Sequence, residues 1–307
     1  MTKSCDILVA GEINPDLILS GDVVPAFGQV EKLVDSAVLA VGSSSVITAC
    51  GAARLGLRVA FIGVCGDDLF GRFMLEKMKE HGIDTSAVIV DPARSTGLTV
   101  ILNRVTDRAM LTLAGAIAAL TAADVRDDLL ARTRHLHVAS YFLQTALQPG
   151  LPDLFARAHA LGLTTSLDTN WDPSAEWGGF EALLHGVDVF LPNENEAKAI
   201  AKAGNIESAS QRLGDSCKVV AIKLGADGAL ARRGEEIARV PALKVDVVDT
   251  VGAGDTFNAG FLYGFLHGWP LERSLRLAAA CGSLSTRAAG GTAAQPTLAE
   301  AMGYVPG

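Results

Sequence analysis

The sequence is poor in the features that would assign it to several common classes. Five cysteines stand at positions 5, 50, 65, 217 and 281, an odd number without CxxC spacing. Contexts such as Ile62-Gly63-Val64-Cys65 read as buried strands, so these thiols are expected to be reduced core residues. No run of five or more like charges accompanies the net charge of -8, so neither a nucleic-acid groove nor an anionic membrane surface is expected as partner. No stretch reaches the roughly 18 apolar residues of a membrane span. The first residues, Met1-Thr2-Lys3-Ser4-Cys5-Asp6, carry an acid where a signal peptide needs an apolar run. The expectation is a soluble, cytoplasmic protein. No Gly-Lys dipeptide occurs, which excludes a P-loop of the GxxxxGK[ST] type. A dinucleotide fingerprint would need a third glycine at 257, where Phe257 stands, and would follow the first strand; an NAD-dependent oxidoreductase is therefore disfavoured.

What is present is a chain 49% hydrophobic and 20% charged over 307 residues, long enough for one large α/β domain or two smaller ones. Short runs of Val, Ile and Leu alternate with segments of helical period, as in βαβ units around a parallel sheet. Core strands are expected at 7–10, 59–63, 136–139, 164–167, 187–191 and 218–222, with helices at 45–55, 69–81 and 151–161. Gly56, Gly82 and Gly162 follow those helices, where a left-handed residue ends a helix. The fold class is doubly wound α/β with a mostly parallel sheet, a single domain over residues 1–307. Two regions break the alternation, 17–39 and 88–113, the latter with turn residues Asn103 and Asp107. They read as a small projecting sheet drawn from roughly 12–39 and 86–113, serving either as a lid over the strand ends or as an ordinary meander.

The most informative segment is Val247-Val248-Asp249-Thr250-Val251-Gly252-Ala253-Gly254-Asp255-Thr256-Phe257-Asn258-Ala259-Gly260, a strand end, a glycine turn and then a helix. Small residues at Gly252, Ala253 and Gly254 let backbone N–H groups point inward, and the helix adds the partial positive charge of its N-terminus. Asp255 puts a carboxylate beside the bound anion, which suits removal of a proton from an attacking hydroxyl. Asp is also a preferred helix cap, so a capping role stands as the alternative.

This segment resembles the C-terminal signature of the ribokinase-like sugar kinases, the PfkB family, and further motifs agree in order and spacing over nearly the whole chain. Asn193-Glu194-Asn195-Glu196 is similar to the family's NxxE motif after a central strand. Lys223-Leu224-Gly225-Ala226-Asp227-Gly228 resembles its nucleotide-side glycine pair, and Gly11-Glu12-Ile13-Asn14-Pro15-Asp16 its sugar-binding turn. Each also has a plain reading: Asn193 and Glu196 as a helix cap and first-turn acid, Gly225 and Gly228 as a β-turn, Asp16 as an exposed loop acid.

The resemblance implies an ATP-dependent kinase acting on a hydroxyl of a small sugar, polyol or nucleoside, a ribokinase- or fructokinase-type enzyme. Asp255 would be the general base, with the Gly252, Ala253 and Gly254 amides on the transferring group. Asn14, Asp16, Gly42 and Ser43 would hold the substrate, and Asn193, Lys223, Thr250, Gly225, Gly228, Gly252 and Gly254 would surround ATP. Mg²⁺ would be organised through water by Asn193 and Glu196, and a monovalent cation such as K⁺ would sit beside Asp249 and Val251, with carbonyls of 285–291. A homodimer through the lid is a further expectation, and a non-catalytic sugar- or nucleotide-binding protein on the same fold is the alternative.

Three positions depart from the family pattern. Gly42-Ser43-Ser44-Ser45-Val46-Ile47 has Ile47 in place of a sugar-contacting Asn, and Ala114-Gly115-Ala116-Ile117 has Ile117 where Asn is common. In Ser166-Leu167-Asp168-Thr169-Asn170-Trp171-Asp172-Pro173, Asp172 stands where relatives often have Arg. A carboxylate facing the substrate would repel a sugar acid or sugar phosphate, so a neutral acceptor is expected.

Overall fold

The structure, a computed structural model, describes residues 3–104, 108–179 and 181–305. In chain order its strands are β1 Cys5–Ala10, β2 Pro15–Ser20, β3 Ser36–Val41, β4 Val59–Ile62, β5 Val64–Cys65, β6 Ile89–Val90 and β7 Leu98–Asn103. They continue with β8 Arg108–Leu113, β9 Thr133–Val138, β10 Thr164–Leu167, β11 Val189–Phe190, β12 Val219–Lys223, β13 Ala229–Arg233 and β14 Glu236–Val240. Eight of them form one sheet in the order β14-β13-β12-β11-β10-β9-β1-β4. Pairing is parallel from β4 to β12, and β13 and β14 extend it antiparallel.

Both faces of this sheet are buried, which is why its strands read as continuous apolar runs rather than alternating ones. Ile7 and Val9 enter one core cluster with the helices Ser44–Arg54, Ala253–Leu266 and Leu271–Ser285. Leu8 and Ala10 enter the other with Leu151–Ala160 and Ile206–Gly214. All six strands expected from the sequence lie in the sheet, and Gly56, Gly82 and Gly162 take positive φ just past their helices. The five cysteines are buried and free.

The small sheet has the order β3-β2-β7-β8. β2 pairs antiparallel with β3 and parallel with β7, and β7 pairs antiparallel with β8. The expected bounds were too generous. Residues 12–14 are the turn that carries the chain out of β1, no strand forms in 21–35, and β6 joins β5 in a separate ribbon. β3 runs past the expected limit at 39 to Val41. Asn103 ends β7 opposite Arg108, whereas Asp107 lies outside the described residues. Among the described residues no helix is long and apolar enough to cross a membrane.

Candidate active site

In a parallel sheet the loops leaving the carboxyl ends of the strands converge on one edge. Here β1 delivers Glu12, Asn14 and then Asp16, β9 delivers Ser140, β10 delivers Asp168 and Asn170, and β12 ends on Lys223. Asp16 is buried, not an exposed loop acid. Asn14 Nδ2 donates to Asp16 Oδ1 at 3.4 Å and to Thr99 Oγ1 at 3.3 Å, joining the turn to the small sheet. Burial raises the Asp16 carboxyl to about 7, against the pull of Arg108 and with help from Glu12 and Asp249. Ser43 caps the helix Ser44–Arg54 through the Val46 amide, 3.0 Å away. Its hydroxyl also meets the buried Glu12 carboxylate at 3.0 Å, where Ser140 Oγ at 2.9 Å, the Ser45 amide and Ser45 Oγ converge.

The helix Ala253–Leu266 begins after Gly252, which is its N-cap in the left-handed region at φ 71°. A β-carbon at Gly252 would stand 2.7 Å from Gly291 Cα, so both backbone sterics and packing call for glycine. Asp255 is therefore not the cap, and the capping alternative fails. The Ala253 amide reaches Thr250 O at 3.3 Å and the Thr256 amide reaches Gly252 O at 2.9 Å. Between them, the amides of Gly254 and Asp255 have no acceptor among the described residues. Two open donors at a helix N-terminus form an anion site. The Asp255 carboxyl is buried beside them; desolvation and then Asp168 hold it well above the usual carboxylate range, against Lys223 and a hydrogen bond from Ser44. Asp249 accepts from Val251 N at 3.0 Å and Gly290 N at 2.9 Å, so both oxygens brace the turn. Thr250 is exposed.

Asn193 and Glu196 form a reciprocal capping box, Asn193 N to Glu196 Oε2 at 2.8 Å and Glu196 N to Asn193 Oδ1 at 2.9 Å. The plain reading of this pair is realised. Glu196 is nonetheless buried and raised to about 7, first by desolvation and then by Asp168, with Lys223 opposing. Among the described residues no group of three or more His, Cys, Asp or Glu side chains could cage a metal. One carboxylate beside one amide oxygen fits a hard cation held through its own waters and through phosphate oxygens. Gly225 and Gly228 close the turn between β12 and β13, with Leu224 N bonded to Gly228 O at 2.9 Å. Gly225 faces open space, while a β-carbon at Gly228 would meet Val240 O at 2.0 Å.

The three departures have separate fates. Ile47 is buried and packs under the nest, its Cγ2 3.0 Å from the β-position of Gly252, and Ile117 is buried against Gly97. Asp172 is buried and its carboxylate is engaged within its own loop, which leaves it no part in the expectation of a neutral acceptor. Its carboxylate accepts from Ser174 N at 2.9 Å, Ser174 Oγ at 2.8 Å and Trp177 N at 2.8 Å, folding its own turn. Sequence reasoning missed Ser44, Ser140, Asn170, Asp168 and Asn258. Asn170 Nδ2 donates to Ser44 Oγ and Ser140 Oγ, and Lys223 Nζ lies 2.8 Å from Asp168 Oδ2 and 3.2 Å from Asn258 Oδ1. Asn258 carried a usable signal, since it lies three residues beyond Asp255 on one helix face.

Residues 6–298 match the model of the pfkB family carbohydrate kinase. The chain is 31% identical over 278 residues to the 5-dehydro-2-deoxygluconokinase of Geobacillus thermodenitrificans, covering 84% of this chain and 82% of the relative. A probable sugar kinase from Rhizobium etli superposes with a TM-score of 0.86 at 26% identity, over 99% of this chain and 98% of the other. A putative ribokinase II from E. coli, solved in complex with ATP and Mg²⁺, superposes with a TM-score of 0.84 at 23% identity, over 98% and 99% of the two chains.

Proposed function

The chain belongs to the pfkB carbohydrate kinase family and is a sugar kinase; on that premise we propose that it transfers the γ-phosphoryl group of ATP to a hydroxyl of a small neutral sugar, polyol or nucleoside, with Asp255 as general base. The observation that carries this reading is the buried Asp255 carboxylate in the same helical turn as the open amides of Gly254 and Asp255. A plain anion site gains nothing from a carboxylate there, whereas phosphoryl transfer needs a proton acceptor next to donors that meet developing charge.

Asn14 and Asp16, with Gly42 and Ser43 behind them, orient the acceptor hydroxyl. Asp255 takes its proton as the oxygen attacks, and the open amides of Gly254 and Asp255 receive the transferring phosphoryl group, the Ala253 amide expected there being held by Thr250 O instead. Asn193, Lys223, Thr250, Gly225 and Gly228 line the nucleotide side. Mg²⁺, when bound through water near Asn193 and Glu196, supplies charge neutralisation on phosphate oxygens. The likeness to an E. coli protein whose complex holds ATP and Mg²⁺ supports this choice of cofactor. A K⁺ ion beside Asp249 and Val251 is tested by comparing rates in potassium and choline salts.

The small sheet acts as a lid that excludes water from the transfer. Its outer strand β8 is exposed throughout and carries Met110, Leu111 and Leu113, and Phe27 and Leu33 project from the 21–35 segment. Exposed apolar side chains along the outer strand of the sheet fit a second copy of the chain meeting at the same edge; sedimentation velocity of the wild type and of Leu111→Lys measures it. The neutral acceptor now rests on Ile47 and Ile117 alone.

The test is ADP release from MgATP over ribose, fructose, inositol and nucleosides, against 2-keto-3-deoxygluconate and fructose 1-phosphate. Preferred turnover of either anion overturns the neutral acceptor. Saturable ATP binding without ADP release on any acceptor favours the non-catalytic alternative.

A further inference from the structure

We propose that Asp168 and Asn258 form a clamp that positions the Lys223 ammonium against the first turn of the Asp255 helix, making Lys223 the fixed positive charge against which Asp255 works as a base. The proposal rests on the functional reading above and assigns the residues that govern its base.

Lys223 is the last residue of β12, and its ammonium reaches across the strand ends. Asp168 Oδ2 lies 2.8 Å away and Asn258 Oδ1 3.2 Å away, while Asn258 Nδ2 donates to the same Asp168 oxygen. The three groups therefore close on one another, and Lys223 cannot turn without breaking two contacts. A β-carbon at Gly254 would stand 3.7 Å from Nζ, so the ammonium rests over the glycine whose amide is open. The Lys223 side chain is 13% exposed and Asp168 is fully buried. Water is largely excluded, and the pair acts on its neighbours with little screening.

The charged groups acting on Asp255 are Glu12 after β1, Asp168 after β10 and Lys223 at the end of β12, and the helix Ser44–Arg54 adds the Ser44 hydroxyl on the carboxyl and the Thr48 hydroxyl, 3.3 Å from the Asp255 carbonyl oxygen. Glu196 acts on Lys223 from the far side. Two acids and burial favour a protonated Asp255, which accepts no further proton, and Lys223 is the main influence in the opposite direction. Desolvation works against the ammonium, but Asp168 and Glu196 outweigh it and lift Lys223 above the ordinary lysine value. Asp168 thus has two opposed effects: it anchors the cation and repels the base.

That opposition gives a test that loss of packing cannot imitate. The midpoint of Asp255 is read from its side-chain ¹³C carboxyl resonance in Asp-labelled full-length protein without ligands, assigned by its disappearance in Asp255→Asn. In Lys223→Met the midpoint should rise by about one unit or more, the usual effect of removing a close opposite charge. In Asp168→Asn, where the amide oxygen and Asn258 Oδ1 still accept from the ammonium and only the negative charge is removed, it should fall, and in Lys223→Arg it should stay near wild type. An unmoved midpoint in Lys223→Met, or shifts of one sign in Lys223→Met and Asp168→Asn, overturns the proposal. Should Lys223→Met fail to fold, a midpoint that does not fall in Asp168→Asn is enough to overturn it. If the titrations follow this pattern while no acceptor supports ADP release, the kinase reading fails and the clamp stands.

Discussion

Gly42 and Asp16 are fitted to each other: a β-carbon at Gly42 would stand 2.3 Å from Asp16 Oδ1. The absence of a side chain at 42 lets the carboxylate lie at the mouth of the proposed acceptor pocket. Gly42→Ala should raise KM for the acceptor about tenfold or more with a smaller change in KM for ATP, because only the acceptor side is displaced. Equal changes in both would place the damage elsewhere.

Asp16 also makes stability depend on pH. Burial lifts its carboxyl from 3.8 to about 7, so the fold favours the protonated form. That contribution is complete below the unfolded value and is lost as pH rises through 7. Asp16→Asn should therefore be more stable relative to wild type at pH 8 than at pH 5. Denaturant unfolding at the two pH values measures it, and the reverse order would contradict the burial argument.

Asp255→Asn should lower kcat by about two to four orders of magnitude, the range for a positioned base. Because Gly252 caps the helix, the variant should fold and bind ATP, with a melting temperature at pH 7 no lower than wild type. Near-normal turnover would remove Asp255 from the mechanism.

Glu196→Gln should shift the Mg²⁺ dependence of the rate to higher concentration while leaving KM for the acceptor close to wild type. The remaining side-chain oxygen still accepts from Asn193 N and the Glu196 backbone amide still donates to Asn193 Oδ1, so the cap should survive. A Mg²⁺ titration that superposes on wild type would leave only the capping role.

Asp172→Ala should cost about 1–3 kcal/mol of stability, since three donors lose their acceptor. It should leave the order of acceptor preference unchanged, because the carboxylate is spent on Ser174 and Trp177. A switch toward acidic sugars in this variant would show that the group reaches the substrate after all.

The sequence by itself determined what depends on near neighbours. Apolar runs marked the buried strands, Gly56, Gly82 and Gly162 marked helix ends, and Gly252-Ala253-Gly254-Asp255 marked a glycine turn opening a helix, because period, cap and turn chemistry act within a few residues. The Asn193–Glu196 box was legible for the same reason, and its rival reading could not be separated from it by spacing. Tertiary structure alone decided which distant groups meet. Asp168 lies 55 residues from Lys223 and 90 from Asn258, and they touch because the strand order sets β10 two places from β12 and the helix Ala253–Leu266 packs across their ends. It also decided direction: Asp172 shares a loop with Asp168 and Asn170, yet a turn of a few residues aims its carboxylate back at its own backbone. A side chain's bearing follows from the path of the whole loop, and residue type carries no record of that path.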